Sequence, residues 1–478
     1  MSWRRASPVL ALAAATACLP DNPLSYTTSS GEATTTSDSG VTTGGEAAGL
    51  FGCPGGQCTL VLVSQTLDDR IDVFEVGGAK PSLRGRIALD FKPDASGLQT
   101  GGNLLDEPYG LVLTDSDLLV AIGHYPDSDS GSLLRFPRAT FADLEPGQLF
   151  ATENYFQTGT FKNGVEALTH GRREGLFLLP HPSGRVLVSV FANNLQTTEW
   201  TTPSELLIVD PLDLAAGVAS VDLGALPKPC AGAWELQALD PAVSKVALAC
   251  DGSESIAVLS LPADFATAPL TDVAQNVTGC GLNLASGWST QFVSADGAGG
   301  FLAVQSQLGM PPKLWHVGAN CGPSGIPTNE VPEALNQVRL LRQPVLLRPA
   351  ADKPPLWLVA AGPTDDSVVI VQGGTKPTMC GKLTGLDALA SENSPWALAL
   401  SSDRTHLAIG AGPASNPQLS PGRGQVLWAT LDTSGLDSCQ LQANDVQDLG
   451  AGLFSPGLPA TWMRAPNVVV IAEFGGAS

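Results

Sequence analysis

An apolar run that returns every 50 to 67 residues, companion runs on either side of it, and a part-copy at each end of the chain predict an all-β fold. These features select a seven-bladed β-propeller whose N- and C-terminal strands share the closing blade. The run reads "TLVLVSQ" at 59, "LLVAIGH" at 118, "RVLVSVFA" at 185, "KVALACD" at 245, "FLAVQSQ" at 301, "LWLVAAG" at 356, "HLAIGAG" at 406 and "VVVIAEF" at 468.

Each copy has companions. A run before it often carries an aromatic: Tyr109 in "YGLVL", Trp234 in "WELQAL", Trp288 in "WSTQFV", Trp396 in "WALAL" and Trp462 in "WMRA". A third run follows, as in "RIDVFEV", "SIAVLSL" and "SVVIVQG", and a weaker fourth comes after that. Four short runs with tight turns make an antiparallel unit. Strands this apolar need cover on both faces, which radial stacking supplies. The aromatics recur in register, so they are expected to pack between units. The first unit lacks its leading strand. The chain closes with "ATWMRA", read as a leading strand, and "VVVIAEF", read as a second strand, so the two ends complete one blade and remove two open edges. The extra strand leaves eight blades as the alternative.

The chain before the repeats is of another kind. Residues 1–17 read as a signal peptide: Arg4 and Arg5 precede an apolar stretch, Pro8 to Ala17, too short to span a bilayer. Ala15-Thr16-Ala17-Cys18 resembles a bacterial lipobox, with Ala15 where Leu is usual. Residues 18–52 then read as a lipidated Cys18 and a Ser/Thr/Gly tether too polar and small-sided to fold, and residues 53–478 as the propeller. The expected location is a membrane-anchored periplasmic or cell-surface protein, with a secreted one as the alternative.

Nine cysteines support this reading, because exported proteins pair their cysteines and the ninth needs a role. With Cys18 lipidated, eight remain. Cys230 and Cys250 flank a predicted hairpin and should face each other. Cys53 and Cys58 can close a local loop. Cys280 with Cys321, and Cys380 with Cys439, follow by elimination.

The net charge is −21, with 46 acidic against 25 basic residues. Such a surface repels phosphate backbones, so nucleic acid is not an expected partner. Only 15% of residues are charged, and 52 Gly and 37 Pro fit a chain full of turns.

The turns between first and second runs are short, whereas "HYPDSDSGS" at 124, "ANNLQTTEWTTPS" at 192, "GPASNPQLSPGRG" at 412 and the crossover from 152 are long. These long loops fall at one end of the blades. Loops on a rigid scaffold carry binding residues. His124, Tyr155, Phe156, His170, Arg172, Arg173 and Trp200 are the candidates there, for a protein or glycan partner. Asp127 to Gly131 begins like a calcium loop, but Arg138 stands where the closing Glu belongs. No cofactor is expected.

"HPSGRVLVSVFANN" (181–194), "DPAVSKVALACDGSESIAVLSL" (240–261) and "TLDDRIDVFEV" (66–76) resemble YVTN-type and lactonase-type propeller repeats. The tether resembles those of myxobacterial-type surface lipoproteins. The resemblance implies the propeller over most of residues 55–474 and leaves function open, since this fold hosts enzymes, binders and scaffolds. "DEPYGL" at 106 faintly resembles the Glu-Pro entry of metal-dependent lactonases, with Glu107 in the ligand's place, but no Asn and Asp partners accompany it. G-x-S-x-G and H-E-x-x-H are absent from the sequence. The expectation is therefore a non-enzymatic binding or scaffold lipoprotein. The alternative is a metal-dependent, lactonase-like hydrolase with its site in the central channel.

Overall fold

The computed structural model describes residues 49–53, 57–65, 70–78, 80–89, 105–114, 116–125, 131–142, 148–151, 166–172, 175–190, 204–213, 217–307, 310–321, 340–362, 366–374, 376–391, 393–413, 424–449 and 466–474. Cys18 and the tether through residue 48 lie outside them, as do the calcium-like turn at 126–130, Tyr155, Phe156, Arg173 and Trp200.

The strands form antiparallel meanders in chain order. β1 (Cys58–Gln65), β2 (Arg70–Val76) and β3 (Ser82–Ala88) make the first. β4 (Leu105–Leu113), β5 (Asp117–Tyr125) and β6 (Gly131–Pro137) make the second. β7 (Gln148–Ala151) returns to lie parallel beside β3, and β8 (Glu166–Arg172) completes the second meander against β6. The third is β9 (Gly175–Pro180), β10 (Val186–Val190), β11 (Glu205–Val209) and β12 (Val218–Asp222).

The fourth meander is β13 (Ala233–Ala238), β14 (Lys245–Cys250), β15 (Ser255–Ser260) and β16 (Thr278–Asn283), with helix α1 (Leu270–Asn276) inserted before β16. The fifth has β17 (Ser289–Ala295), β18 (Phe301–Gln307) and β19 (Met310–Val317). The sixth is β20 (Leu340–Arg348), β21 (Leu356–Gly362), β22 (Ser367–Gln372) and β23 (Thr378–Thr384). The last is β24 (Asn393–Leu400), β25 (His406–Pro413), β26 (Gln425–Asp432) and β27 (Leu441–Asp448). β28 (Pro466–Phe474) pairs antiparallel with β1 along its length.

The chain ends thus share one sheet, as the sequence predicts. One assignment changes. "VVVIAEF" is itself the leading strand of that shared sheet, not a second strand, because β1 already occupies the second position. The expected leading strand around Trp462 lies outside the described residues.

The core explains the apolar strands. Leu60 and Leu62 of β1 pack with Leu118, Val120 and Ile122 of β5, while Val61 and Val63 pack the other way, against Ala408, Val426 and Trp428. Period-2 alternation sends neighbouring side chains to opposite faces, and both faces are covered. The same holds for β21: Leu356, Leu358 and Ala360 enter one layer, Trp357, Val359 and Ala361 the next. Such a layer lies between each meander and the next, including the last and the first. The first strands β4, β9, β13, β17, β20, β24 and β28 are neighbours in that order, and β28 returns to β4. The fold is an all-β propeller.

All four disulfides are the expected ones: Cys53–Cys58, Cys230–Cys250, Cys280–Cys321 and Cys380–Cys439, with Cα separations of 5.4, 5.2, 6.0 and 5.7 Å. The last joins two sheets. It can do so because Leu383 and Thr384 of β23 pair in parallel with Leu441 and Gln442 of β27. The approach is close enough that a Cβ on Gly381 would stand 2.2 Å from the Cys439 carbonyl oxygen, so only glycine fits there. Four disulfides belong to an oxidising, extracytoplasmic compartment. Among the described residues no helix is long and apolar enough to cross a membrane.

Candidate functional site

The predicted loop candidates are not the best-defined site. His170 and Arg172 were expected in a crossover loop, and the structure places them on β8, which covers the free edge of β6. His124 stands near the end of β5, opposite Asp106. The side chains of these three lie outside the described residues, as does that of Glu107.

The inner strands show another pattern. All seven break register with their neighbour, each at or before the strand's midpoint. The residues left over there are Tyr109 in β4, Leu176 and Phe177 in β9, Trp234 and Glu235 in β13, Gln291 in β17, Arg342 and Gln343 in β20, Trp396 in β24 and Asn467 in β28, and β20 breaks register a second time near its end, at Leu347. A β-bulge re-aims side chains out of the pleat and gathers next to functional sites. Here the bulges recur at one level around the central axis. That level is nearer the mouth from which the long loops emerge, since each inner strand starts there.

Bulges strand backbone groups, and serines recover them. Ser64 Oγ accepts from the Val468 N–H at 3.0 Å, Ser189 Oγ from Phe177 N–H at 3.1 Å, and Ser306 Oγ from Leu341 N–H at 3.1 Å. The irregularities are therefore held in place, not frayed.

A polar chain crosses four of these strands. Glu235 Oε2 accepts from the Val293 N–H of β17 at 3.0 Å. Its Oε1 accepts from Gln237 Nε2 at 3.3 Å and from Gln343 Nε2 of β20 at 3.4 Å. Gln343 Oε1 in turn accepts from the Leu398 N–H of β24 at 3.4 Å. To reach β13 from β20 past β17, the Gln343 side chain runs inside the ring. Glu235 is only 1% exposed, and burial pushes its pKa up to about 8, so its carboxyl holds a proton at neutral pH. Nearby, Asp251 at the end of β14 accepts hydrogen bonds from Ser289 Oγ and, at 3.3 Å, from Gln291 Nε2, and burial raises its pKa too.

Arg342 is the counterpart. Its guanidinium lies 3.3 Å from the centre of the Trp396 ring. Its side chain is half-buried, with Nε fully enclosed. Desolvation pulls its pKa down to about 9, which leaves it charged at neutral pH. Arg342 Nε and Trp396 Nε1 are both buried without a hydrogen-bond partner.

Of the repeated aromatics, Tyr109, Trp234 and Trp396 occupy bulges, whereas Trp288 falls one residue before β17 and donates to the Pro311 carbonyl at 3.2 Å. Packing accounts for Trp234, which lies against the layer holding Val293 and Phe301. It does not account for Trp396. The sequence reading missed Glu235, Arg342 and Gln343. Their signal was a pair of side chains that breaks the alternation of an apolar run, in "AWELQA" and "LLRQPVLLR".

Among the described residues, the metal of the alternative reading finds no seat: no three His, Cys, Asp or Glu side chains come together.

No protein-family model matches the sequence, and no curated protein does. Among solved structures, one provisionally assigned as a 6-phosphogluconolactonase from Bacteroides fragilis overlaps at 10% identity and TM-score 0.49, covering 87% of this chain and 98% of that one. The periplasmic gluconolactonase of Pseudomonas aeruginosa overlaps at 12% identity and TM-score 0.46, covering 83% and 97%. A protein from Lactobacillus plantarum overlaps at 10% identity and TM-score 0.45, covering 87% and 99%. The propeller assignment rests on the strand pairing given above.

Proposed function

We propose that the protein is an extracytoplasmic seven-bladed propeller hydrolase that opens a sugar lactone at the bulged ring of its channel. The observation that supports this most is the Glu235 carboxyl, buried inside that ring and bonded by groups from β13, β17 and β20. Lactone hydrolysis needs water to add to the carbonyl and the ring oxygen to leave with a proton. Glu235 holds that proton at neutral pH, and an acid with a pKa near the working pH is suited to donate it. The acyl C–O bond breaks, the ring oxygen takes the proton from Glu235, and the proton of the attacking water restores the acid. The 3.3 and 3.4 Å bonds from Gln237 and Gln343 are long, so a substrate oxygen can replace them.

Two of the overlapping structures bear sugar-lactonase names, and the ring around Glu235 supports the same substrate class for this chain. The non-enzymatic binding module expected from sequence rests on loop side chains outside the described residues, so the channel reading is preferred. The anchor at Cys18 and the tether to residue 52 remain proposals: Cys18→Ser should release the protein from membranes, and retention would contradict lipidation.

The test is base consumption at constant pH with glucono-1,5-lactone and a panel of other sugar lactones. The protein should accelerate opening of at least one above its spontaneous rate, and Glu235→Gln should lose about 100-fold or more of that rate, the scale of a lost general acid. No acceleration across the panel, or an undiminished Glu235→Gln variant, would overturn the reading.

A further inference from the structure

We infer that Arg342 and Trp396 form an anion-binding subsite beside Glu235, so that the ligand of the channel carries a carboxylate or a phosphate. This deepens the function proposed above and rests on the same channel, but not on turnover.

A charge taken out of water needs a partner, and a polar hydrogen needs an acceptor. Arg342 enters no ion pair or hydrogen bond among the described residues, although carboxylates are abundant in this chain. The adjacent Gln343 bonds Glu235, whose oxygens accept from three donors, none of them Arg342. Trp396 offers its ring face to the guanidinium, which orients the cation without neutralising it. Its own N–H is a second orphan donor. Guanidinium and indole only donate. Two adjacent donor-only side chains on neighbouring inner strands, each half-buried with one fully buried N–H that lacks an acceptor, are complementary to a group that only accepts, and the unpaired positive charge selects an anion. A guanidinium fork matches the paired oxygens of carboxylate or phosphate.

The fold has a built reason for this geometry. The bulge at Leu341–Pro344 removes Arg342 from the alternation that would bury it in an apolar layer, and the bulge at Trp396 does the same on the next strand. The surface of the protein is strongly acidic, so long-range attraction does not collect anions. Recognition must be local.

The test is calorimetric titration of the purified full chain with gluconate, inorganic phosphate and glucose, alongside melting curves. Gluconate or phosphate should bind saturably, and the stronger of the two identifies the anion as carboxylate or phosphate. Arg342→Met should weaken that binding at least tenfold while melting no lower than the wild type, since it removes a charge without an ion-pair partner and a buried N–H without an acceptor. Trp396→Phe, which keeps the ring and the cation, should weaken it severalfold. Glucose should bind no worse to Arg342→Met than to the wild type. Absence of binding by both anions, or equal binding to Arg342→Met and the wild type, would overturn the inference. Anion binding without lactone turnover would leave this subsite standing and remove the hydrolase. Turnover abolished by Glu235→Gln, with no anion binding, would do the reverse.

Discussion

Strands β21 and β20 are neighbours in one sheet and obey opposite rules. β21 is buried at every residue, and its side chains alternate strictly between two apolar layers. β20 starts apolar, then drops out of register at Arg342 and Gln343 before Pro344 restores pairing. One strand fills space between blades. The other gives up two pairing positions to place a cation and an amide at the channel. The second strand of each unit therefore carries the packing, and the inner strand carries the ligand chemistry proposed above.

Substitutions can break or sharpen that contrast. The largest effect belongs to the packed layer. Trp357 is fully buried and donates to the Ala295 carbonyl at 3.1 Å. Trp357→Ala should cost about 3–5 kcal/mol in denaturant unfolding, from lost burial and the cavity left behind. Replacing Cys230 and Cys250 together by serine should cost roughly 2–4 kcal/mol, because that bridge closes the hairpin of β13 and β14.

Glu235 behaves otherwise. Its folded pKa lies above its unfolded value, and the raised form is the neutral acid. Below pH 4.5 both states are protonated and nothing is lost. As pH rises from there toward 8 the unfolded state sheds its proton and the folded state does not, so stability falls, and it levels off above 8. Glu235→Gln should therefore gain on the wild type across that window, by up to a few kcal/mol. Denaturant midpoints of both proteins from pH 4 to 9 check this, and parallel curves would contradict a neutral buried acid. The smallest effect belongs to the rim. Asp437 meets Arg348 and Lys353 in an exposed cluster, and Asp437→Ala should leave the melting temperature unchanged within error.

The sequence carried the fold because packing between blades imposes period 2 on every second strand, and that pattern repeats in print. "LWLVAAG" and "TLVLVSQ" are readable for this reason. The four cysteine pairs were readable too, two from position and two from what remained. The channel was harder. A bulge shifts one or two residues without changing composition, so Arg342 in "LLRQPVLLR" resembles an ordinary edge arginine until its register is known. Trp396 resembles its packing counterparts until its ring is found beneath a guanidinium. The closing strand was misassigned for a similar cause: "VVVIAEF" has the composition of a second strand, and only its pairing with β1 makes it the first of its sheet.

The central claim is that ligand chemistry sits on the bulged inner strands. A crystal structure of the protein with gluconate bound tests it most directly. The carboxylate of gluconate should lie against Arg342 and Trp396, with the sugar chain directed toward Gln343 and Glu235. Gluconate seated on the outer loops, with Arg342 still unpartnered, would contradict it.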